Sequence, residues 1–197
     1  RLRKNPDLPL TPGKTATLQK AILARCDAMD GVRDGILNDP ERCEFDPATL
    51  ICRGADSDAC LTALQVDAVR RLSTDVKTSR GEVVWTGFAP GSELQGTPLA
   101  AKNDPDAPPN PFLLDTIRIL GYQDANWDWR SLDLDRDLAA AVEKAGFIDV
   151  HTYDLSAFKA RGGKLLLYHG WVDSGITPGN TVNYYGKVLD KMGPGQE

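Results

Sequence analysis

The chain has 197 residues, 41 % of them apolar, and a formal net charge of −5, with a sequence pI near 5.1. That is enough apolar material for a packed core, but no run approaches the ~20 residues of a spanning helix, which argues against a helical membrane protein. No basic stripe is present, which argues against nucleic acid as a partner.

The chain opens on RLRKNPDLPLTPGK, without methionine, and stops on KMGPGQE. Both ends read as cuts through a longer protein, so the lack of a leader says little about location. Residues 13–25, GKTATLQKAILAR, read as a helix with Leu18, Ile22 and Leu23 on one side and Thr11-Pro12 as its start signal. Residues 26–60 have little periodicity and many Asp, Gly and Pro. Cysteines at 26, 43, 52 and 60 would have to hold that segment together. None has C-x-x-C spacing, and the two histidines, His151 and His169, are distant, so a zinc site is not expected. Disulfides are the better reading and imply an oxidising compartment. Four cysteines allow three connectivities; nearest-neighbour pairing would close two small loops, and a loop of about 15 residues is worth roughly 3 kcal/mol in the chain-entropy model.

Downstream, 62-TALQ-65 is a capping box, in which the Thr62 hydroxyl and the Gln65 side chain satisfy each other's backbone amides. It predicts a helix to about Leu72. Residues 73–112 read as loop, with one short strand at Glu82–Trp85, and a helix is expected near 112–120. The stretch 127–146 ends in a helix capped by Asp133 or Asp135 and stopped at Gly146. The pattern changes at Gly162-Gly163. The apolar run Lys164–Tyr168 reads as a strand buried on both faces, as in a parallel sheet. Thr177-Pro178 then opens a helix to about Met192, stopped by Gly193. Strand, loop and helix form the unit of an α/β fold, and one such unit implies further strands outside this chain.

Two groups of residues could carry chemistry. Asp27, Asp30 and Asp34 stand close enough to repel one another unless a cation binds. A hard divalent ion such as Ca²⁺ takes six to eight oxygens, backbone carbonyls included. Gly31 and Gly35 permit tight turns, and the carbonyls of Val32 and Ile36 could alternate with the carboxylates. The EF-hand spacing is missing, and a solvated acidic turn is the plainer alternative. The second group, His169 and Asp173, follows the expected strand, where functional groups gather in open α/β sheets. Asp173 suits the acid of a Ser-His-Asp triad, which orients the histidine. The plainer alternative is an aspartate capping its own loop. His169 is too close along the chain to serve as its triad partner; it suits a pocket wall, or else a satisfied structural histidine. No G-x-S-x-G occurs, and Ser92 and Ser174 lack the strand-to-helix elbow of a nucleophile. Of Trp85, Trp127, Trp129 and Trp171, the last, between His169 and Asp173, is the candidate face for a planar substrate.

The segments CDAMDGVRDGILNDPERCEFDPATLIC, CLTALQVDAVRRL, GFAPGSE, DLSAFKARGGKLLLYHGWVDSGITPGNTVNYY and the closing KMG resemble, in order, the tannase and feruloyl esterase family, which includes mono(2-hydroxyethyl) terephthalate hydrolase. The resemblance covers residues 11 to 193. It implies an α/β-hydrolase core, partial here, with a large, loop-rich, mostly helical lid: residues 1–26 and 156–197 in the core, 27–155 in the lid. It implies a structural Ca²⁺ held by Asp27, Asp30 and Asp34 through side chains and by Val32 and Ile36 through carbonyls. It also implies disulfides Cys26–Cys43 and Cys52–Cys60, Asp173 as triad acid, and His169, with Trp171 beside it, at the substrate. The family's Gly-Cys-Ser-x-Gly-Gly nucleophile and its catalytic His-Cys pair match nothing in this chain. The expectation is therefore part of a secreted or periplasmic serine esterase for a small aromatic ester. The rest of its core would lie on the same or a second polypeptide, and this chain alone would be inactive. A calcium-stabilised, disulfide-tied binding or structural module without catalysis is the other class of reading.

Overall fold

The computed structural model describes residues 8–92, 115–148 and 150–195. Among the described residues helices dominate, and the one sheet has two short strands. The regular elements are α1 (Pro12–Cys26), α2 (Ala63–Leu72), β1 (Val76–Lys77), β2 (Val83–Trp85), α3 (Leu134–Ala145), α4 (Ser156–Ala160) and α5 (Gly179–Met192). Cα proximity divides the chain into two compact units. The first comprises 1–76, 83–105 and 165–186; the second comprises 77–82, 106–164 and 187–197.

In the first unit, α1 starts where Thr11 accepts the Lys14 amide at 3.1 Å with Pro12 in the first turn, a position where the missing proline N–H costs nothing. Leu18 and Ile22 are fully buried, each contributing on the order of 1.5–3 kcal/mol. They pack with Leu8, Leu10, Leu61, Val66, Ala68 and Val69. The α2 capping box is formed in both directions, at 3.2 Å from the Gln65 amide to Thr62 and 3.0 Å from the Thr62 amide to the Gln65 side chain. The segment between α1 and α2 consists of short 3-10 turns and carries the disulfides Cys26–Cys43 and Cys52–Cys60. Cys26 and Cys43 are part of the core, so the first disulfide ties the end of α1 to the loop that follows it.

Lys14 is 3 % exposed. A buried ammonium needs partners for its three protons, and here they are the Asp56 carboxylate, the Cys60 carbonyl at 3.0 Å and the Gln65 side-chain oxygen at 2.8 Å. Gln65 also donates to the Pro9 carbonyl at 3.1 Å. Beside it, Asp58 accepts from the Thr11 hydroxyl, and the Asp58 carbonyl accepts from Thr17 at 2.8 Å. The Cys52–Cys60 loop is thereby fastened over the start of α1.

The expected strand Lys164–Tyr168 is not formed: these residues adopt no regular secondary structure. The sheet does not extend to them, because no described segment offers a neighbouring strand. Leu166 and Tyr168 are 85 % and 90 % exposed, where the reading from hydropathy had both faces covered. The helix after it does form, as α5, and ends at Gly193, whose amide bonds the Leu189 carbonyl at 2.8 Å with φ 81°.

In the second unit, Asp133 caps α3 through the Arg136 amide at 3.0 Å. Gly146 ends α3 but keeps right-handed helical angles, and the chain continues into a 3-10 turn at Gly146–Ile148. Asp137 is buried, paired with the Arg136 guanidinium and accepting the Asp133 amide at 2.7 Å. That guanidinium holds its carboxyl well below the usual range. Burial and the nearby Asp137 push the Tyr122 phenol up. Of the helix expected near 112–120, residues 112–114 lie outside the described residues, and Thr116–Gly121 forms π-helical turns. Among the described residues no helix is long and apolar enough to cross a membrane.

Replacing Lys14 with Met should take the ammonium donor from the Cys60 carbonyl and leave the Gln65 oxygen with the Thr62 amide alone. The expected loss is about 2 kcal/mol, read as a lower denaturant midpoint at unchanged slope. An unchanged midpoint would show that the fastening contributes nothing.

Candidate functional site

The candidate acid and histidine occupy one turn that leads into α5. Asp173 Oδ1 accepts two backbone amides, from Gly175 at 2.8 Å and Ile176 at 3.0 Å. Those amides, Ile176 first, hold its carboxyl below the usual carboxylate range, and His169 acts in the same direction. Asp173 therefore caps its own loop through one oxygen, and its side chain remains 45 % exposed. The His169 Nε2 lies 3.4 Å from the other oxygen.

His169 is 19 % exposed, and both ring nitrogens are engaged. Nε2 lies 2.9 Å from the Ile176 carbonyl and Nδ1 lies 2.7 Å from the Thr181 hydroxyl on α5. A carbonyl only accepts, so Nε2 carries the proton and Nδ1 accepts from Thr181. A histidine so engaged is no free general base toward an outside group. Behind the turn, Thr177 is fully buried and its hydroxyl lies 2.6 Å from that of Thr86. A side chain on Gly179 would collide with Thr86, so this close approach requires glycine at the start of α5. Neither Thr181 nor Thr86 stood out in the sequence. The four-residue step from Thr177 to Thr181 was the only local signal.

Trp171 lines a concavity of about 750 Å³ in the first unit, with Phe45 and Phe88 as further aromatic walls and Arg70 and Asn183 among its polar groups. His169 and Asp173 are not among its lining residues. The other tryptophans have other surroundings: Trp85 ends β2, Trp127 stacks on Tyr122 with ring centres 4.6 Å apart, and Trp129 lies under the Arg130 guanidinium. Ser92 is buried with its hydroxyl bonded to the Ala89 carbonyl at 2.7 Å. That burial does not suit a nucleophile.

In the acidic loop, each aspartate accepts a backbone amide: Asp30 from Val32 at 2.9 Å, Asp34 from Ile36 at 3.0 Å and Asp27 from Gly35 at 3.0 Å. Gly31 and Gly35 sit at φ 96° and 80°, the left-handed region that favours glycine. Three carboxylates and backbone carbonyls on one exposed loop are the kind of donor set a hard cation takes. Their oxygens are not gathered in this structure. Asn38 holds the second oxygen of Asp30 at 2.7 Å. Among the described residues, the one trio of potential ligand atoms within 4.8 Å of one another is Cys52, Asp56 and Cys60. Its sulfurs are joined in a disulfide, so that trio is not a metal site.

Comparison with known proteins adds the following. The family model described as tannase and feruloyl esterase matches residues 3–196. An uncharacterized esterase of Xanthomonas campestris is 35 % identical over 95 % of this chain, and a probable feruloyl esterase B-2 of Aspergillus terreus is 34 % identical over 95 %. In each case this chain spans 35 % of the relative's length. The crystal structure of feruloyl esterase B from Aspergillus oryzae superposes with a TM-score of 0.83 at 28 % identity, covering 96 % of this chain and 37 % of that one. Tannin acyl hydrolase from Aspergillus niger shares the fold, with a TM-score of 0.61 at 19 % identity.

The Asp173 turn should be sensitive to acid. A carboxylate whose pKa is lowered on folding adds stability that is fully present above its unfolded value, near 4. That stability is lost as pH falls through the lower folded value. Amide-exchange protection at Gly175 and Ile176 should therefore hold from neutrality to about pH 4 and fall below it. Protection that is flat down to pH 2 in a protein that stays folded would contradict the assignment.

Proposed function

We propose a function from one premise: this chain belongs to the tannase and feruloyl esterase family. It is then part of a carboxylic ester hydrolase acting on esters of aromatic acids. The observation that carries this reading is the family match from residue 3 to residue 196. The nucleophilic serine and the catalytic histidine come from outside these residues, on the same or a second polypeptide. In this reading 1–26 and 156–197 belong to an α/β-hydrolase core and 27–155 form its lid. Lys164–Tyr168 becomes a strand when the core supplies its neighbours. The exposed Leu166 and Tyr168 favour this over a self-contained binding module, since large apolar side chains facing water mark a surface that is normally covered.

Asp173 is the triad acid. Serine attacks the ester carbonyl, and the histidine takes the serine proton and passes it to the leaving alcohol. The acid accepts a hydrogen bond from that histidine, fixes its tautomer and stabilises its charged form. Two observations support this role: loop amides hold one Asp173 oxygen, and the side chain is 45 % exposed. Trp171, in the aromatic-walled concavity, contacts the planar acyl part, with His169 close by on the same turn. We further propose that Asp27, Asp30 and Asp34, with the carbonyls of Val32 and Ile36, hold a structural Ca²⁺ that draws the acidic loop together. With its two disulfides, the protein suits a secreted or periplasmic setting.

In the intact enzyme, Asp173→Asn should lower kcat on an aromatic ester by a factor on the order of 10⁴ with the fold retained. Near-normal turnover would end the proposal. Removing calcium with EDTA should lower the melting temperature, and added Ca²⁺ should restore it by mass action on the folded state. A sample shown by metal analysis to contain calcium, yet melting identically after chelation, would refute the ion site.

A further inference from the structure

We infer that Thr181 and His169 are positioning residues for the acid loop, acting on Asp173 through the Ile176 carbonyl. The inference rests on the reading of Asp173 as the triad acid and adds to it how that acid is held. It starts from a small closed circuit. The Thr181 hydroxyl, one turn into α5, binds His169 Nδ1 at 2.7 Å. The Ile176 carbonyl, which only accepts, lies 2.9 Å from Nε2 and makes that the protonated nitrogen, so Nδ1 accepts from the hydroxyl. The amide of the same Ile176 donates to Asp173 Oδ1 at 3.0 Å, beside the Gly175 amide at 2.8 Å.

Ile176 is thus held at both polar ends, by the imidazole on its carbonyl and by the carboxylate on its amide. The ring also lies 3.4 Å from Asp173 Oδ2, so it borders the oxygen that remains for the catalytic histidine. The buried Thr177, bonded to Thr86, fixes the start of the helix that carries Thr181. The chain of contacts therefore runs from the buried end of α5 to the acid. Without the Thr181 hydroxyl, Nδ1 loses its donor and the ring its tie to α5, which weakens the preference for the tautomer that donates to the Ile176 carbonyl. The turn would then loosen, and Asp173 would lose its aim. Because the catalytic geometry must be held to a fraction of an ångström, a misplacement near 1 Å costs about a hundredfold in rate. The effect should fall on kcat, since neither residue lines the aromatic concavity.

The test uses the intact enzyme and the methyl ester of an aromatic acid. Thr181→Val, which keeps the shape and removes the hydroxyl, should lower kcat by about tenfold to a hundredfold, with KM within about twofold. Thr181→Ser should recover most of the loss. A valine variant with unaltered kcat, or one whose loss lies wholly in KM, would overturn the inference. Should the valine variant melt early, nitrogen shifts of His169 in the unaltered enzyme decide: one protonated nitrogen, Nε2, is expected, and an Nδ1–H tautomer would overturn the circuit. Asp173→Asn assayed in parallel separates the two ideas. If Asp173→Asn is inactive and Thr181→Val is normal, the positioning fails while the triad reading stands. If Asp173→Asn is active, the triad reading fails.

Discussion

The buried ammonium of Lys14 is the constraint on which the first unit depends. Taking it out of water is unfavourable unless all three protons find acceptors, and those acceptors come from two stretches: Asp56 and the Cys60 carbonyl in the small disulfide loop, and Gln65 in α2. Meeting that demand joins α1, the small disulfide loop and the first turn of α2 around one point. The hydrophobic core below it, centred on Leu18, Ile22 and Leu61, supplies the larger driving force but not the register, since apolar contacts have little direction. The polar node specifies which turn of α1 faces which end of α2. The disulfides restrict the same region further, and Cys26–Cys43 closes the acidic loop at its root.

A similar economy governs the turn at 169–181. It has little apolar burial, and apart from Thr177, which bonds Thr86, its named polar contacts are made within the turn and the start of α5. Asp173 bonds the amides that follow it, and His169 bonds the carbonyl three residues beyond Asp173 and a hydroxyl on α5. Such a turn keeps its shape without a sheet behind it. The segment just before it cannot. Lys164–Tyr168 has the composition of an interior strand, but a strand's hydrogen bonds are made with another segment, and no described segment supplies them. Local polar closure and non-local pairing therefore part company within a dozen residues.

That contrast explains what could be read from the sequence. The helices α1 and α2 and the end of α5 were legible because caps and stops are local chemistry: Thr11-Pro12, Thr62 with Gln65, and Gly193 each act within about one turn. Asp173 stood out through its place after an apolar run, and the acidic loop through its spacing. Lys14 did not stand out, since a lysine in an amphipathic helix normally faces water and its burial follows from partners more than 40 residues away. Thr181 was hidden for a related reason: its role arises only when the turn folds back to bring His169 over it. The strand expected at 164–168 is not formed, because its pairing needs the further strands that the sequence reading placed outside this chain.

The two readings of Asp173, loop cap or triad acid, turn out not to compete. A triad acid must stay ionised and must hold one orientation while a histidine beside it becomes charged. Two backbone amides on one carboxylate oxygen meet both needs: they favour the charged form and fix the plane of the group. A residue that merely capped a loop would use its oxygens for that purpose alone. Here the amides take one oxygen, the other lies 3.4 Å from the His169 ring, and the turn follows a segment whose apolar side chains are exposed. In the proposed triad, the turn would be a group preorganised for its partner rather than drawn into place by one.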